Sequence, residues 1–526
     1  MSAPTAGRTP TGTAPTGTVR VRTAAGSVAG PVAGTGARRV SAFLGIPYAA
    51  PPAGPLRWRP PVPAPAWSGE LPAVRPGPAP VQSLPPRTRI MWHSGFADSR
   101  ELVMSEDCLY LNVWTPDPGP GAGLPVLVVL HGGGFRLGHG GLEVHDGAAL
   151  AARGLVVVTC SMRLGALGFL AHPELAAEDE LDATGNYGLL DVVAALEWVR
   201  DGIAAFGGDP GRVTLAGSSA GAVVATHLMA SPLGRGLFHA VVGQSSSGVF
   251  RPEGPLPSPQ DARRRGPESL GALAGLPVER LRSLPPTAFL VDAPQGVVVD
   301  GRVLTEDSGR VFTRGAQAPV PLLVGNTADE GSPYVTTATR EDLRRFLRDA
   351  DDGALAAHYP PGGPDDTDGS GAIAAASTRH FVTDTRFVLP VLRWARTHVA
   401  TTGAPAWTYR FEHAPPLPAG ADLDPPADGL AGFGAFHTCE LPYTGDNLWS
   451  RAWDWTDADR ELARVLGDTW ARFVTTHDPN GAGLPDWPCL DPAAPAAAMH
   501  VGGTPGHRTL TRAAVLDALA PPRHTP

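Results

Sequence analysis

Lysine is missing from this chain: all 42 basic residues among its 526 are arginine. Schiff-base catalysis, a Ser–Lys dyad and a phosphate-binding P-loop each need a lysine amine, so all three are excluded. Cysteine is nearly as scarce. The four present, Cys108, Cys160, Cys439 and Cys489, are widely spaced and form no C-x-x-C pair, which argues against a zinc ribbon or dithiol centre. No H-E-x-x-H or comparable ligand spacing occurs, so neither a metal nor an organic cofactor is expected. No apolar run approaches the roughly 18 residues of a membrane span. The opening MSAPTAGRTPTGTAPTGT also lacks the apolar core of a signal peptide. The expectation is a cytoplasmic protein with no membrane partner. Its net charge of -9 comes without a basic stripe, so nucleic acid is not an expected partner either.

What is present is a large apolar inventory, 43% of the residues, enough to bury a sizeable core. Residues 1–18 hold only small, polar and proline positions with nothing to pack, and read as a disordered tail before one domain over 19–522. The segments 124–130 (LPVLVVL), 155–160 (LVVVTC), 212–216 (RVTLA) and 320–324 (VPLLV) are continuous apolar runs bounded by glycine or proline. Such runs suit strands buried on both faces. Between them, Leu189, Val192, Val193, Leu196 and Val199 give helical periodicity over 189–206, and so does the stretch after Ser219. Alternation of this kind predicts an α/β fold, a mostly parallel sheet flanked by helices with inserted helical subdomains. The 64 glycines and 57 prolines sit mainly between periodic segments and mark ordered loops; residues 251–265 and 353–371 are the most linker-like. Near the end, Leu462, Val465, Leu466, Trp470 and Phe473 share one helix face.

Gly217-Ser218-Ser219-Ala220-Gly221 matches G-x-S-x-G. A Gly/Ser loop could carry the same five letters, but here a strand, RVTLA, precedes them and an apolar helix, AVVATHLM, follows. That strand–turn–helix setting is what a nucleophile elbow requires. Only Ser219 has glycine both two before and two after it, where the crowded turn needs small residues. It also stands at a helix N-terminus, which favours developing negative charge. His131-Gly132-Gly133-Gly134-Phe135 directly follows another strand. Glycines there let backbone N–H groups approach the oxyanion of a tetrahedral intermediate.

These residues resemble the type-B carboxylesterase and cholinesterase family, which includes bacterial carboxylesterases of the para-nitrobenzyl-esterase kind. The likeness runs from about residue 20 through FLGIPYAAPPAGPLRWRPP at Phe43, SEDCLYLNVWTP at Ser105, RLGALGFL at Arg163, FGGDP at Phe206, and Asp478 to Asn480 with Trp487-Pro488. It implies the α/β-hydrolase fold and ester hydrolysis. The loop GNTADEG at Gly325 is similar to the family's acid loop and selects Glu330 over Asp329. The loop GAFHTCELPY at Gly434 selects His437 from 16 histidines. The order Ser, acid, His is independently that of α/β-hydrolases. By the same likeness the N–H groups of Gly133, Gly134 and Ala220 form the oxyanion hole. Ser218, Ser245 and Glu440 support the triad from behind, and Arg57 with Glu106 and Arg163 with Asp191 are structural pairs.

The chain also departs from the family. Ser218 replaces the usual glutamate before the nucleophile, Ser161-Met162 replaces Asn-Tyr, and Thr438 replaces a common glycine. Cys108 lies where the family has its first disulfide, but residues 77–82 offer no partner, so free thiols are expected. The expected substrates are a small-to-medium neutral ester and water. A pathway esterase, lactonase or acyltransferase would use the same triad, whereas a non-catalytic binding protein on this fold would typically lack one of its members. Trp92, Phe96 and Trp449 are candidate pocket walls whose place the sequence does not give, and the oligomeric state is left open.

Overall fold

A computed structural model describes residues 17–33, 39–93, 102–291, 296–335, 358–359, 372–417, 422–426, 429–481 and 485–519. Thirteen strands form one sheet: β1 (Gly17–Arg22), β2 (Ser27–Ala33), β3 (Val40–Pro47), β4 (Glu70–Pro72), β5 (Tyr110–Thr115), β6 (Leu124–Leu130), β7 (Val156–Cys160), β8 (Gly208–Ser218), β9 (Ala240–Gln244), β10 (Leu322–Thr327), β11 (Ala406–Phe411), β12 (Ala497–Val501) and β13 (Gly506–Thr509). The run β7-β6-β8-β9-β10-β11-β12 is parallel throughout. Antiparallel strands extend it on both sides, and β4 joins β2 off the main path.

The apolar runs are continuous because both faces of the sheet are covered. Along β6, Val126, Val128 and Leu130 enter one apolar cluster with Leu196, Phe206 and Leu215. The alternate residue Leu127 joins a second cluster with Val157, Ala216 and Trp470. Helix α1 (Tyr187–Gly202) buries Leu189, Val192, Val193, Leu196 and Val199 in the first cluster, as the periodicity predicts. It stops earlier than expected: Ile203–Phe206 tighten into a 3-10 turn ended by Gly207 at φ 86°. Helix α2 (Ala220–Ala230) lies on the same face through Val224 and Leu228. Helix α3 (Asp457–Thr476) covers the opposite face with Ala463, Leu466, Trp470 and Phe473, while Leu462 and Val465 are half-buried.

Some expectations change. The proposed tail falls mostly on residues outside those described, but its last two positions, Gly17 and Thr18, already pair with Val32 and Pro31 in the sheet. The second half of the linker-like stretch 251–265 enters the helix Pro259–Glu268, whose first turn is capped by Ser258 accepting from Asp261 N–H at 3.2 Å. Of the stretch 353–371 only residues 358 and 359 are described, and Tyr359 is fully buried with its hydroxyl donating to Asp384 at 2.7 Å. All four cysteines are unpaired, three of them buried. Among the described residues no helix is long and apolar enough to cross a membrane.

Register decides where chemistry can occur. Leu130 lies opposite Gly217, Ser218 opposite Gln244, and Gln244 opposite Gly325. The carboxyl ends of β6, β8, β9 and β10 therefore stand side by side, and the loops leaving them converge at one edge of the sheet.

Candidate active site

Ser219 caps α2 with φ 53° and ψ -122°, a backbone state that costs an L-residue about 1–3 kcal/mol. It is clamped there by its own N–H donating to Gln244 O at 2.8 Å, and its carbonyl accepts from Val223 N–H at 3.1 Å. The flanking glycines are steric requirements. A Cβ on Gly217 would lie 2.3 Å from the Gly221 carbonyl carbon, and one on Gly221 would lie 2.3 Å from Leu130 O. The turn leaves Ser219 half-buried between fully buried Ser218 and Ala220.

The glycine loop after β6 faces this turn from the neighbouring strand. Gly133 has φ 110°, and a Cβ there would stand 2.1 Å from Leu137 O. His131 Nδ1 bonds Gly132 O at 2.8 Å, and burial pushes this ring down to about 4, so it serves as a neutral strut. Gln82, which the sequence did not single out, clamps the far side: its amide donates to Gly138 O at 3.1 Å and accepts from Gly138 N–H at 2.7 Å. Ser161, one of the departures, accepts from Gly140 N–H at 2.9 Å. In the described turns and loops the N–H groups of Gly133, Gly134 and Ala220 donate to no backbone carbonyl.

Beyond β10 the two remaining loops are spliced together by Asp329. Its N–H donates to Ala435 O and its carboxylate accepts from Ala435 N–H, each at 2.9 Å. That splice leaves Glu330 to meet His437. Glu330 Oε2 lies 2.5 Å from His437 Nδ1, and Oε1 accepts from Thr327 N–H at 2.8 Å, with both side chains fully buried. A ring whose Nδ1–H is held by a carboxylate presents Nε2 as an acceptor. Two aromatic rings pack on the imidazole, Phe387 at 4.9 Å and Tyr334 at 5.6 Å between centroids. Tyr334 follows the acid loop by three residues and was in principle findable there. Phe387 belongs to the π-helical turn Thr383–Val388, fifty residues away with no local signal, which is tied to the acid loop by Gly331 N–H donating to Thr383 Oγ1 at 2.9 Å.

A profile of the carboxylesterase family matches residues 17–514. The chain belongs to the carboxylesterase family. It is 36% identical to the fumonisin B1 esterase of Sphingopyxis macrogoltabida, over 85% of this chain and 81% of that protein. It is similar at 33% identity to the cocaine esterase of Homo sapiens, over 86% of this chain and 82% of the relative. To the para-nitrobenzyl esterase of Bacillus subtilis strain 168 it is 32% identical, over 87% and 91% respectively. The thirteen-stranded, mostly parallel sheet is accordingly that of the α/β-hydrolase fold.

Behind the His437–Glu330 pair of this carboxylesterase, Glu440 is completely buried. Its Oε1 accepts weakly, at 3.4 Å each, from Ser245 Oγ and Gln244 Nε2, and Oε2 has no partner. Burial, and then the charge of Glu330, push this carboxyl up to about 8, so at neutral pH it holds a proton. Thr438 takes φ 69°, the backbone state a glycine would supply more cheaply, and donates its hydroxyl to His437 O. Ser218 Oγ is buried and has no partner. The expected structural pairs are both formed. Arg57 grips Glu106 at 2.7 and 2.6 Å, and Arg163 grips Asp191 at 2.9 and 2.7 Å. Trp449 is half exposed, Trp92 half-buried, and Phe96 lies outside the described residues. No group of three His, Cys, Asp or Glu side chains among the described residues is arranged to hold a metal.

Proposed function

We propose that this carboxylesterase hydrolyses neutral, small-to-medium carboxylic esters through an acyl-enzyme on Ser219. His437 Nε2 takes the Ser219 proton as Oγ attacks the ester carbonyl, and returns it to the departing alcohol. Glu330 fixes the tautomer and stabilises the imidazolium that forms. The N–H groups of Gly133, Gly134 and Ala220 receive the oxyanion. Water, activated by the same histidine, then frees the acid and restores Ser219.

The observation that carries this reading is the buried Glu330–His437 contact, at the sheet edge where Ser219 caps α2. The breadth of substrate follows the relatives, whose names mention fumonisin B1, cocaine and a para-nitrobenzyl group and share only the word esterase. Tyr334, half exposed beside the imidazole, gives an ester an apolar wall. Four unpaired thiols suit a reducing, cytoplasmic setting, and we read the span from β1 onward as one domain.

The deciding experiment is covalent. A fluorophosphonate should modify one residue, mapped to Ser219, and Ser219→Ala should lower kcat on a nitrophenyl ester by at least about 10⁴-fold. Label on Ser218, or activity retained in the folded Ser219→Ala protein, would overturn the assignment.

A further inference from the structure

On the α3 side of the sheet, beneath the nucleophile turn, lies a cavity of about 40 Å³ lined mostly by buried residues. Most of its wall is apolar, from Leu127, Val157 and Ala216 among others. Polar side chains interrupt that wall, and those of Asp146, Gln244 and Thr444 have hydrogen-bond partners within the protein. Ser218 Oγ, His145 Nε2 and Trp470 Nε1 all belong to residues lining the cavity, and none of the three has a hydrogen-bond partner. Their residues are only 2%, 8% and 3% exposed. Buried polar atoms are rarely left unpaired, because each then loses its water without replacement. Three such atoms around one cavity point to something that pairs them all. A water occupies roughly 10–15 Å³ of such space at the least, so the cavity admits more than one.

We propose that this cavity is a hydration site, in which waters bridge Ser218 Oγ, His145 Nε2 and Trp470 Nε1, and that Ser218 is a positioning residue holding the Ser219 turn through them. Donor chemistry fits a water cluster. An indole nitrogen only donates, so the water it meets passes its own hydrogens on to Ser218 or His145. Burial pushes His145 down to about 3, so it is a neutral ring able to join either as donor or as acceptor. The link to catalysis is short. Ser218 directly precedes the nucleophile and pairs with Gln244, whose carbonyl accepts the Ser219 N–H and whose amide reaches Glu440. Waters anchored on α3 through Trp470 would therefore brace the elbow from the face opposite α2. The function assigned to Ser218 rests on Ser219 being the nucleophile, whereas the hydration site itself does not.

Two nearly isosteric variants separate hydrogen bonding from volume. Ser218→Thr keeps the hydroxyl and Ser218→Val lacks it, while both add similar bulk. The Val variant should lose about ten-fold in kcat with KM within about two-fold, and the Thr variant should stay within about three-fold of the parent. A crystal structure of the parent at high resolution should show ordered waters in hydrogen-bond contact with Ser218 Oγ and Trp470 Nε1. Equal kcat for Thr and Val variants, or a dry cavity, overturns the proposal. Should neither variant fold, the waters of the parent structure decide alone. Failure of the fluorophosphonate to label Ser219 would remove the nucleophile and leave the crystallographic result standing, so the two failures are distinguishable.

Discussion

Asp329 and Glu330 are adjacent carboxylates in different circumstances. Asp329 bonds the backbone of the histidine loop, whereas Glu330 bonds the imidazole and Thr327 N–H. A glutamine at 330 could still accept from Thr327 but could not hold the His437 tautomer with a full negative charge. Glu330→Gln should therefore lower kcat by about 10³–10⁴-fold with the fold retained. Asp329→Asn should act mainly on stability and leave kcat within about ten-fold, because it breaks a splice and not the proton path. Kinetics paired with thermal melts check both, and a larger kcat loss at 329 than at 330 would reverse the assignment. The sequence marked this loop only through family likeness. Neither spacing nor composition separates two neighbouring acids, and only their partners do.

Among the elements, α3 and the π-helical turn Thr383–Val388 illustrate different kinds of support. Helix α3 opens with a capping box: Thr456 Oγ1 accepts from Asp459 N–H at 3.2 Å, and Asp459 accepts from Thr456 N–H at 2.8 Å. Thr456→Ala should cost about 1 kcal/mol of stability and leave kcat unchanged, since the cap lies outside the chemistry. The π-turn instead delivers Phe387 to the His437 ring, while its Asp384 binds Tyr359 and Arg512. Phe387→Ala should cost about 3 kcal/mol and also reduce kcat, because the imidazole loses a wall that confines it. Denaturant melts and initial rates measure the contrast. An unaltered kcat in the Phe387 variant would show that the ring contact is packing alone. The periodicity of α1 was legible because one face of a regular helix repeats every three to four residues. A single π-turn leaves no such repeat, and the helix Pro259–Glu268, which begins inside the stretch 251–265, was hidden by its polar, proline-flanked composition.

For the whole molecule, buried histidines and buried carboxyls pull the response to pH in opposite directions. Burial lowers His131 and His398 to about 4 and His145 and His227 to about 3, from an ordinary 6.5. Folded, they stay neutral where the unfolded chain would protonate them. The stability they allow is complete above pH 6.5 and is lost as pH falls from there towards 4 and 3. Glu440 works in the opposite sense. Raised from 4.5 to about 8, it favours the folded state fully below pH 4.5 and loses that contribution as pH rises to 8. Asp300 and Asp329 are raised by burial in the same sense as Glu440, and His172, His380, His477 and His507 are lowered in the same sense as the four histidines. With histidines in the majority, stability should climb from pH 5 to about 6.5, and Glu440 should then make it decline towards pH 8. Melting temperature across that range, with Glu440→Gln beside the parent, tests it. The variant should flatten the alkaline limb, and a parent stability that keeps rising beyond pH 8 would contradict the assignment.

Consecutive residues were enough to specify the buried strands, helix α1, the strand–turn–helix at Ser219 and the glycine loop. Most of these are local demands of period or steric room: Gly217 is needed because the Gly221 backbone passes within 2.3 Å of where its side chain would be, whereas Gly221 is closed off by Leu130 O of the neighbouring strand. Likeness to the carboxylesterases then pointed to Glu330 and His437. What only the tertiary structure decided are the contacts between segments far apart in the chain. These are the splice of Asp329 to Ala435, the placing of Phe387 on His437, the clamp of Gln82 on Gly138, and the cavity shared by Ser218, His145 and Trp470. Such contacts depend on strand register and on how helices pack across the sheet, and no window of neighbouring residues contains that information.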